Sequence, residues 1–374
     1  MSDQNHHIRY QRQIQLKEFG SAAQEKLTEA KVLVIGAGGL GCPALQYLAV
    51  AGVGTIGIVD FDRIDETNLN RQILYAVKDI GHLKVKMACE KLKALNPDIH
   101  FIPINTYLSN QNAIDVLFPY DIIIDGSDNF ATRYLVNDAC VILNKPLVYG
   151  AISGFEGQVG VLNVEDVATK IKTNYRDLFP NPKDTINTLS CNEAGVLGVT
   201  PGIIGCMQAA EAIKLITGIG KVLANKISTY HVLENTFYTF EISKQKINKN
   251  NFPKTKDELL HYNYDLACGN LDSVKEITNT AFESFIGQKD VQIIDVRELD
   301  ESPLITEFIH LQIPLTQLKN QLHQIETNKN IVLFCQSGQR SLQAAAIIQS
   351  KFPKVKVFNL KGGITAWQKT KQQT

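Results

Sequence analysis

Short apolar runs separated by glycine and polar turns recur along the first 150 residues. Residues 31–36, KVLVIG, are a β-branched run ending on glycine, and GAGGLG occupies 36–41. The stretch CPALQYLAVAGVG then carries apolar positions at helical spacing, and TIGIVDFD reads as a second buried strand. Strand, glycine turn, helix and strand in that order open a doubly wound, Rossmann-like α/β fold. The spacing predicts a helix over 83–96 that stops at Pro97, a strand at HFIPINTYL, and a buried strand in DIIIDGSDN (121–129) that runs into a polar loop. A helix over 131–143 and a strand at KPLVYGAI continue the alternation, so a mostly parallel sheet is expected.

Residues 165–190 break the rhythm: they are polar, hold two prolines and show little periodicity. A loop that long in an α/β domain is a functional lid, a crossover or a disordered segment. A helical region follows Pro201 in GIIGCMQAAEAIKLITG. Residues 243–257 are rich in Lys and Asn, the composition of an exposed connector or of a solvated surface stretch. Beyond it VQIIDVRE, NIVLFCQSGQRS and VKVFNLKGG are strand-like runs interleaved with helical segments. The expected organisation is therefore a first domain over 1–245, a connector over 246–272 and a small α/β domain over 273–374.

Composition narrows the classes. Among 374 residues, 38 basic side chains balance 38 acidic ones, and 44% of positions are hydrophobic, so wholesale disorder is excluded. Zero net charge argues against a general nucleic-acid or membrane-surface binder. No apolar run of spanning length stands out, and the start, MSDQNHHIRYQRQ, lacks a secretory apolar stretch. Seven scattered cysteines, an odd number, read as free thiols in a reducing cytoplasm.

GAGGLG with Asp60, 19 residues after Gly41, satisfies a dinucleotide fingerprint. Gly36, Gly38, Gly39 and Gly41 let backbone approach phosphate, and the carboxylate accepts from a ribose hydroxyl. Taken alone this suggests NAD, or a tight packing turn without a ligand. The chain beyond Asp60 speaks differently: Asp62, Asn68, Arg71, Gln72 and Lys84 crowd together there, and Asp128 and Asn129 sit in the loop after a strand. Hydride transfer needs no such cations, whereas a triphosphate does; Arg grips phosphate bidentately and Lys serves as a point charge. A carboxylate at Asp128 can hold Mg²⁺ against phosphates. The plainer reading is a set of surface ion pairs and a turn aspartate.

Together RYxRQ (Arg9 to Gln13), GxGGLG, DxDxxxxxNLxRQ (Asp60 to Gln72), Lys84 and DxxDN (Asp125 to Asn129) resemble the MoeB/ThiF branch of ubiquitin-activating-type adenylyltransferases, over about residues 1–240. The resemblance implies that ATP activates the C-terminal glycine of a ubiquitin-like sulfur carrier ending in Gly-Gly, giving an acyl-adenylate and pyrophosphate. It places Asp60 on ribose, Asn68, Arg71 and Lys84 on phosphates, Asp128 on Mg²⁺, and Arg12 across a homodimer in the partner's site. Asp62, Gln72 and Asn129 belong to the same nucleotide set. Molybdopterin biosynthesis is the first pathway expected, with thiamine biosynthesis or tRNA thiolation as alternatives, and an NAD-dependent oxidoreductase as the rival from another class.

Two cysteines stand apart. Cys191, in LSCNEAGVLG, lies at the end of the polar loop, where related sulfur-transfer members place a cysteine that attacks the adenylate or binds the carrier. Cys335 sits at a strand-to-helix turn, where successive N–H groups and a helix N-terminus stabilise negative charge on sulfur. Arg340 adds a cation at the rim. CQSGQRS, DVRE (295–298) and LKGGITAW (360–367) resemble rhodanese sulfurtransferases over about 275–370. That resemblance implies a persulfide on Cys335, loaded by a donor such as a cysteine desulfurase or thiosulfate and used to make a carrier thiocarboxylate. Many relatives bind zinc through two C-x-x-C pairs; here those places read Asn174-Tyr-Arg-Asp177 and Asp265-Leu-Ala-Cys268, so no zinc is expected. Cys42, Cys89, Cys140 and Cys206 are expected core fillers.

Overall fold

Strands buried on both faces need helices over each face, and the first half of the chain supplies both. β1 (Lys31–Ile35), β2 (Thr55–Val59), β3 (His100–Ile104), β4 (Ile122–Asp125) and β5 (Leu147–Ser153) pair in parallel in the order β3-β2-β1-β4-β5. β6 (Glu156–Leu162), β7 (Lys226–His231) and β8 (Thr236–Glu241) then extend the sheet antiparallel. The sheet is thus mixed, and the expected mostly parallel arrangement describes only its first five strands. The cause is local: Gly154, at φ +57°, opens a two-residue turn between paired Ser153 and Glu156, and so short a connection returns only antiparallel.

The computed structural model describes residues 2–166, 169–182, 195–245, 252–262, 264–268, 274–299, 301–318, 320–352 and 354–371. They divide into two units, 1–262 and 263–374. In the first, α1 (Ser2–Ile14) and α2 (Gly20–Glu29) precede β1, and α3 (Gly41–Ala51) follows the glycine loop. α4 (Lys84–Leu95), α5 (Ala113–Leu117) and α6 (Phe130–Leu143) link the parallel strands. Beyond β6 come the single turn α7 (Tyr175–Leu178) and α8 (Val199–Thr217). Val32, Val34, Ile56, Ile58, Ile122 and Ile124 of the strands pack with Leu45 and Leu48 of α3 and with Ala209 and Ala212 of α8.

By length and composition α8 is apolar enough to cross a membrane, contrary to the expectation that no run of spanning length stands out. It lies against α3, β5 and β6, with Ile204, Gln208, Ala209 and Ala212 buried. The crossing with α3 is close: a Cβ on Gly205 would stand 2.3 Å from the Leu40 carbonyl oxygen. Within the expected connector, α9 (Lys256–His261) buries Leu259, and Asn110 donates to the Leu260 carbonyl at 2.7 Å. That segment is therefore fastened to the first unit rather than exposed throughout.

The second unit opens with α10 (Tyr264–Ala267), then β9 (Lys275–Ile277), α11 (Asn279–Phe285), β10 (Val291–Asp295), β11 (Leu311–Gln312) and α12 (Leu315–Leu318). β12 (Asn330–Phe334), α13 (Gln339–Lys351), β13 (Val357–Leu360) and α14 (Gly363–Lys371) complete it. Its sheet is parallel throughout, ordered β11-β10-β12-β13-β9. Ile294, Leu333, Ala344 and Ile348 fill one side, and Ile293, Phe334, Phe282 and Trp367 the other. The three expected strands are its centre; the flanking β9 and β11 are too short to show a period.

Candidate active sites

A cavity of about 540 Å³ opens where β1, β2 and β4 end, the place at which an open sheet binds its ligand. Its walls include Gly36, Gly38, Gly39, Asp60, Asp62, Arg71, Gln72, Lys84, Asp128 and Asn129. The structure thus brings together ten of the nucleotide-set residues expected from sequence.

The glycine loop is shaped by close contact. Gly36, at φ +90°, donates to the Val59 carbonyl at 2.8 Å, and a Cβ there would meet the Gly126 carbonyl oxygen at 2.7 Å. Gly41 does not line the cavity; it lets α3 start hard against the loop, since a Cβ on it would fall 1.9 Å from the Gly36 oxygen. Asp60 holds the loop from the other side, its Oδ2 accepting from Ala37 N–H and its Oδ1 from Asp62 N–H, both at 2.8 Å. Burial raises the Asp60 pKa, and the nearby Lys84 ammonium opposes that rise. The Tyr75 hydroxyl donates to the Ala37 carbonyl at 3.0 Å, completing the clamp.

Lys84 is the first residue of α4, nearly buried, with Nζ 2.7 Å from Asp62 Oδ2. Arg71 donates to the Thr67 carbonyl and to Asn70 Oδ1, each at 3.0 Å. Gln72 is buried, and its Oε1 has no hydrogen-bond partner among the described residues. Asp128 is exposed on the wall, whereas Asn129 caps α6 by accepting from Thr132 N–H at 2.8 Å. Asn68 departs from expectation: it is not in the cavity wall, and its Oδ1 accepts from Asp65 N–H at 3.2 Å in a capping box. Arg12 is exposed on α1 and is likewise absent from the walls of a single chain. Cys191 lies outside the described residues.

Sequence reasoning missed what stands under Asp128. Ser127 donates its hydroxyl to buried Asp125 at 2.6 Å, and Arg133, 3.6 Å from Asp125, donates to the Ser127 carbonyl at 2.9 Å. Burial raises the Asp125 pKa, with Arg133 pulling against it. The available signal was an arginine inside the otherwise apolar helix run FATRYLV.

In the second unit Cys335 follows β12 and is fully buried. Its Sγ accepts from Gly338 N–H at 3.2 Å and from the Ser341 hydroxyl at 3.4 Å. The LKGG turn lies directly behind it: Ile364 N–H donates to the Cys335 carbonyl at 2.8 Å and Thr365 N–H to the Gln336 carbonyl at 3.2 Å. A Cβ on Gly363, at φ +63°, would stand 2.5 Å from that Cys335 oxygen. Asp295 and Arg297 of DVRE form a buried pair at 2.7 Å, and Arg297 also reaches the Pro303 carbonyl at 2.9 Å. Arg340, the cation expected at the rim, is already paired. It grips Glu301 with both terminal nitrogens, the Nη2–Oε2 arm at 2.7 Å.

Where relatives carry cysteine pairs, Asn174 and Asp177 are engaged with backbone. Asn174 accepts from Arg176 N–H, and Asp177 from Asn174 N–H, both at 2.9 Å. Arg176 turns inward to Asp138. Cys268 is buried in the second unit. No group of three His, Cys, Asp or Glu side chains placed to hold a metal occurs among the described residues. Burial pushes the Cys42 thiol up to about 12 and Cys89 up to about 11, and also raises Cys140 and Cys206, so these four stay protonated.

A clamped glycine loop at the edge of a mixed sheet, joined in one chain to a cysteine loop over a parallel sheet, is the architecture of a two-domain activating protein. The chain belongs to the ThiF family, whose profile matches residues 10–251, and a rhodanese-like domain matches 278–370. Over 97% of its length it is 39% identical to the probable adenylyltransferase/sulfurtransferase MoeZ of Mycobacterium tuberculosis, covering 93% of that protein. It is 36% identical to the adenylyltransferase and sulfurtransferase MOCS3 of Drosophila grimshawi, over 96% of this chain and 83% of that one. The sulfur carrier protein adenylyltransferase of Thermus thermophilus is 48% identical over 61% of this chain and 84% of its own length. Among solved structures, E. coli MccB with ATP shares the fold at a TM-score of 0.51 and 22% identity, over 61% of this chain and 68% of that one.

Proposed function

We propose that the chain adenylates the C-terminal carboxylate of a ubiquitin-like sulfur carrier with ATP and then converts it to a thiocarboxylate with sulfur borne by Cys335. The observation that carries this reading is the presence on one chain of the Lys84, Arg71 and Asp128 cavity beside a clamped glycine loop and of a cysteine cradled by Gly338 and Ser341. The carrier carboxylate attacks the α-phosphorus, pyrophosphate leaves, and the acyl-adenylate remains. The loop N–H groups, Arg71 and Lys84 hold the phosphates, so catalysis is positioning and charge neutralisation. Asp128, exposed on the wall, suits Mg²⁺, which when bound neutralises phosphate charge. A Cys335 persulfide then attacks the activated carbonyl and AMP leaves, giving an acyl disulfide. A second thiol, for which Cys191 is our candidate, breaks the S–S bond and frees the thiocarboxylate. Arg12, absent from its own cavity wall, is assigned to the partner's site in a homodimer, and the carrier is assigned to molybdopterin biosynthesis.

The test is carrier-dependent ATP–pyrophosphate exchange. It should vanish when the carrier's last glycine is deleted and persist in Cys335→Ala, which should make no thiocarboxylate. A Cys335→Ala protein that still makes thiocarboxylate at the normal rate overturns the role of the second unit. Absence of exchange with every Gly-Gly carrier, in protein that binds ATP, overturns the first.

A further inference from the structure

The charge balance around the Cys335 loop bears on which molecule hands it sulfur. Two guanidinium groups touch this loop, and each already has a carboxylate partner. Arg297 donates to Gln336 at 3.4 Å but is locked on Asp295. Arg340, whose charge interacts with the Cys335 sulfur, is held bidentately by Glu301, with Glu298 adding further negative charge. The hydrogen bonds from Arg340 pull the Glu301 carboxyl down to about 2, so the pair is fully charged at neutral pH. The sulfur itself meets two uncharged donors, Gly338 N–H and the Ser341 hydroxyl. Among the described residues these are the hydrogen bonds to the sulfur, and neither donor carries a charge.

We propose that Glu301, acting through Arg340, sets the donor class of this site: sulfur carried on a thiol as a persulfide, in preference to doubly charged thiosulfate. The proposal rests on the reading of Cys335 as a persulfide carrier. With a persulfide R–S–SH, the Cys335 thiolate attacks the outer sulfur and the S–S bond breaks. The electron pair leaves on the R–S sulfur, which takes the proton, and Cys335–S–S⁻ remains. With thiosulfate the same attack expels sulfite, but the approach drives two negative charges toward Glu301 and Glu298. Neutralising Arg340 therefore costs a dianion more than it costs a donor that carries at most one charge.

The full-length protein is mixed with thiosulfate or with the persulfide of N-acetylcysteamine, whose carrier is uncharged. Rapid quenching, alkylation and mass spectrometry then count persulfide on Cys335, with Cys335→Ala as the blank. The wild type should react faster with the organic persulfide. Glu301→Gln should raise the thiosulfate rate constant about ten-fold, the factor that corresponds to roughly 1.4 kcal/mol, and change the persulfide rate less than about two-fold. Glu301→Asp, which keeps the charge, should retain the wild-type preference. An unchanged thiosulfate rate in Glu301→Gln, or an equal change with both donors, overturns the role of Glu301. A wild type that takes sulfur from neither donor overturns the reading of Cys335 itself, and the donor proposal with it.

Discussion

Replacing Arg176 with methionine should destabilise the first unit more than any surface change could. The Arg176 guanidinium donates to Asp138 at 2.8 and 2.6 Å, and both side chains are 2% exposed. Its carbon lies 4.9 Å from the centre of the Tyr134 ring and 5.1 Å from that of Phe252, so the charge is enclosed by aromatic faces. Removing the arginine alone strands a buried carboxylate, a change that costs about 3–5 kcal/mol. For a unit of this size that is a fall in Tm of about 10 °C. Asp138→Leu should cost a similar amount by stranding the cation. The double variant Arg176→Met/Asp138→Leu removes both charges, and an apolar pair of similar volume is close to neutral. The coupling energy from a double-mutant cycle, read by urea unfolding with far-UV circular dichroism, should therefore exceed about 2 kcal/mol. Additive single effects would show that the two charges do not compensate one another, and the reasoning would fail.

Three further outcomes are expected. Lys84→Met removes a nearly buried ammonium from the cavity wall and should lower kcat/KM for ATP in the exchange assay about 100-fold, the effect of losing one charge-assisted contact of roughly 1.5–3 kcal/mol, with the Tm little changed. Gly41→Ala drives a Cβ to 1.9 Å from the Gly36 oxygen, so calorimetric titration should find ATP binding abolished. The Glu301 carboxyl is held down at about 2 by Arg340, below its ordinary value of about 4.5, so its stabilisation is full above that ordinary value and fades as pH falls toward 2. Denaturation followed by Trp367, the only tryptophan and a core residue of the second unit, should show this acid slope, and Glu301→Gln should flatten it.

Much of this was legible in the chain because the relevant residues lie close together in sequence. GAGGLG, Asp60, Arg71 and Lys84 fall within 50 residues, and the parallel topology gathers them at one sheet edge. The antiparallel extension was less legible. β8 is mostly exposed and β6 is interrupted by Gly157 and Gly160, so neither shows the continuous apolar run of a buried strand. Asn68 sits in a motif whose resemblance implies a ligand role, yet its side chain answers the local need of a 3₁₀ turn for a cap. Glu301 gave no sign of its tie to Arg340, 39 residues away, because an ion pair between a loop and the first turn of a distant helix leaves no periodicity.

The crossing of α3 and α8 has a consequence for how the protein is made. α3 leaves the ribosome early, but its cover, including Pro201 against Gly39 and Gly205 against Pro43, is encoded some 150 residues later. At about 5–20 residues per second the nascent chain spends on the order of ten seconds with that face of α3 unprotected. The nucleotide cavity is thus among the last features of the first unit to be finished, and a ribosome stalled before α8 would display an adhesive half-sheet in place of an enzyme.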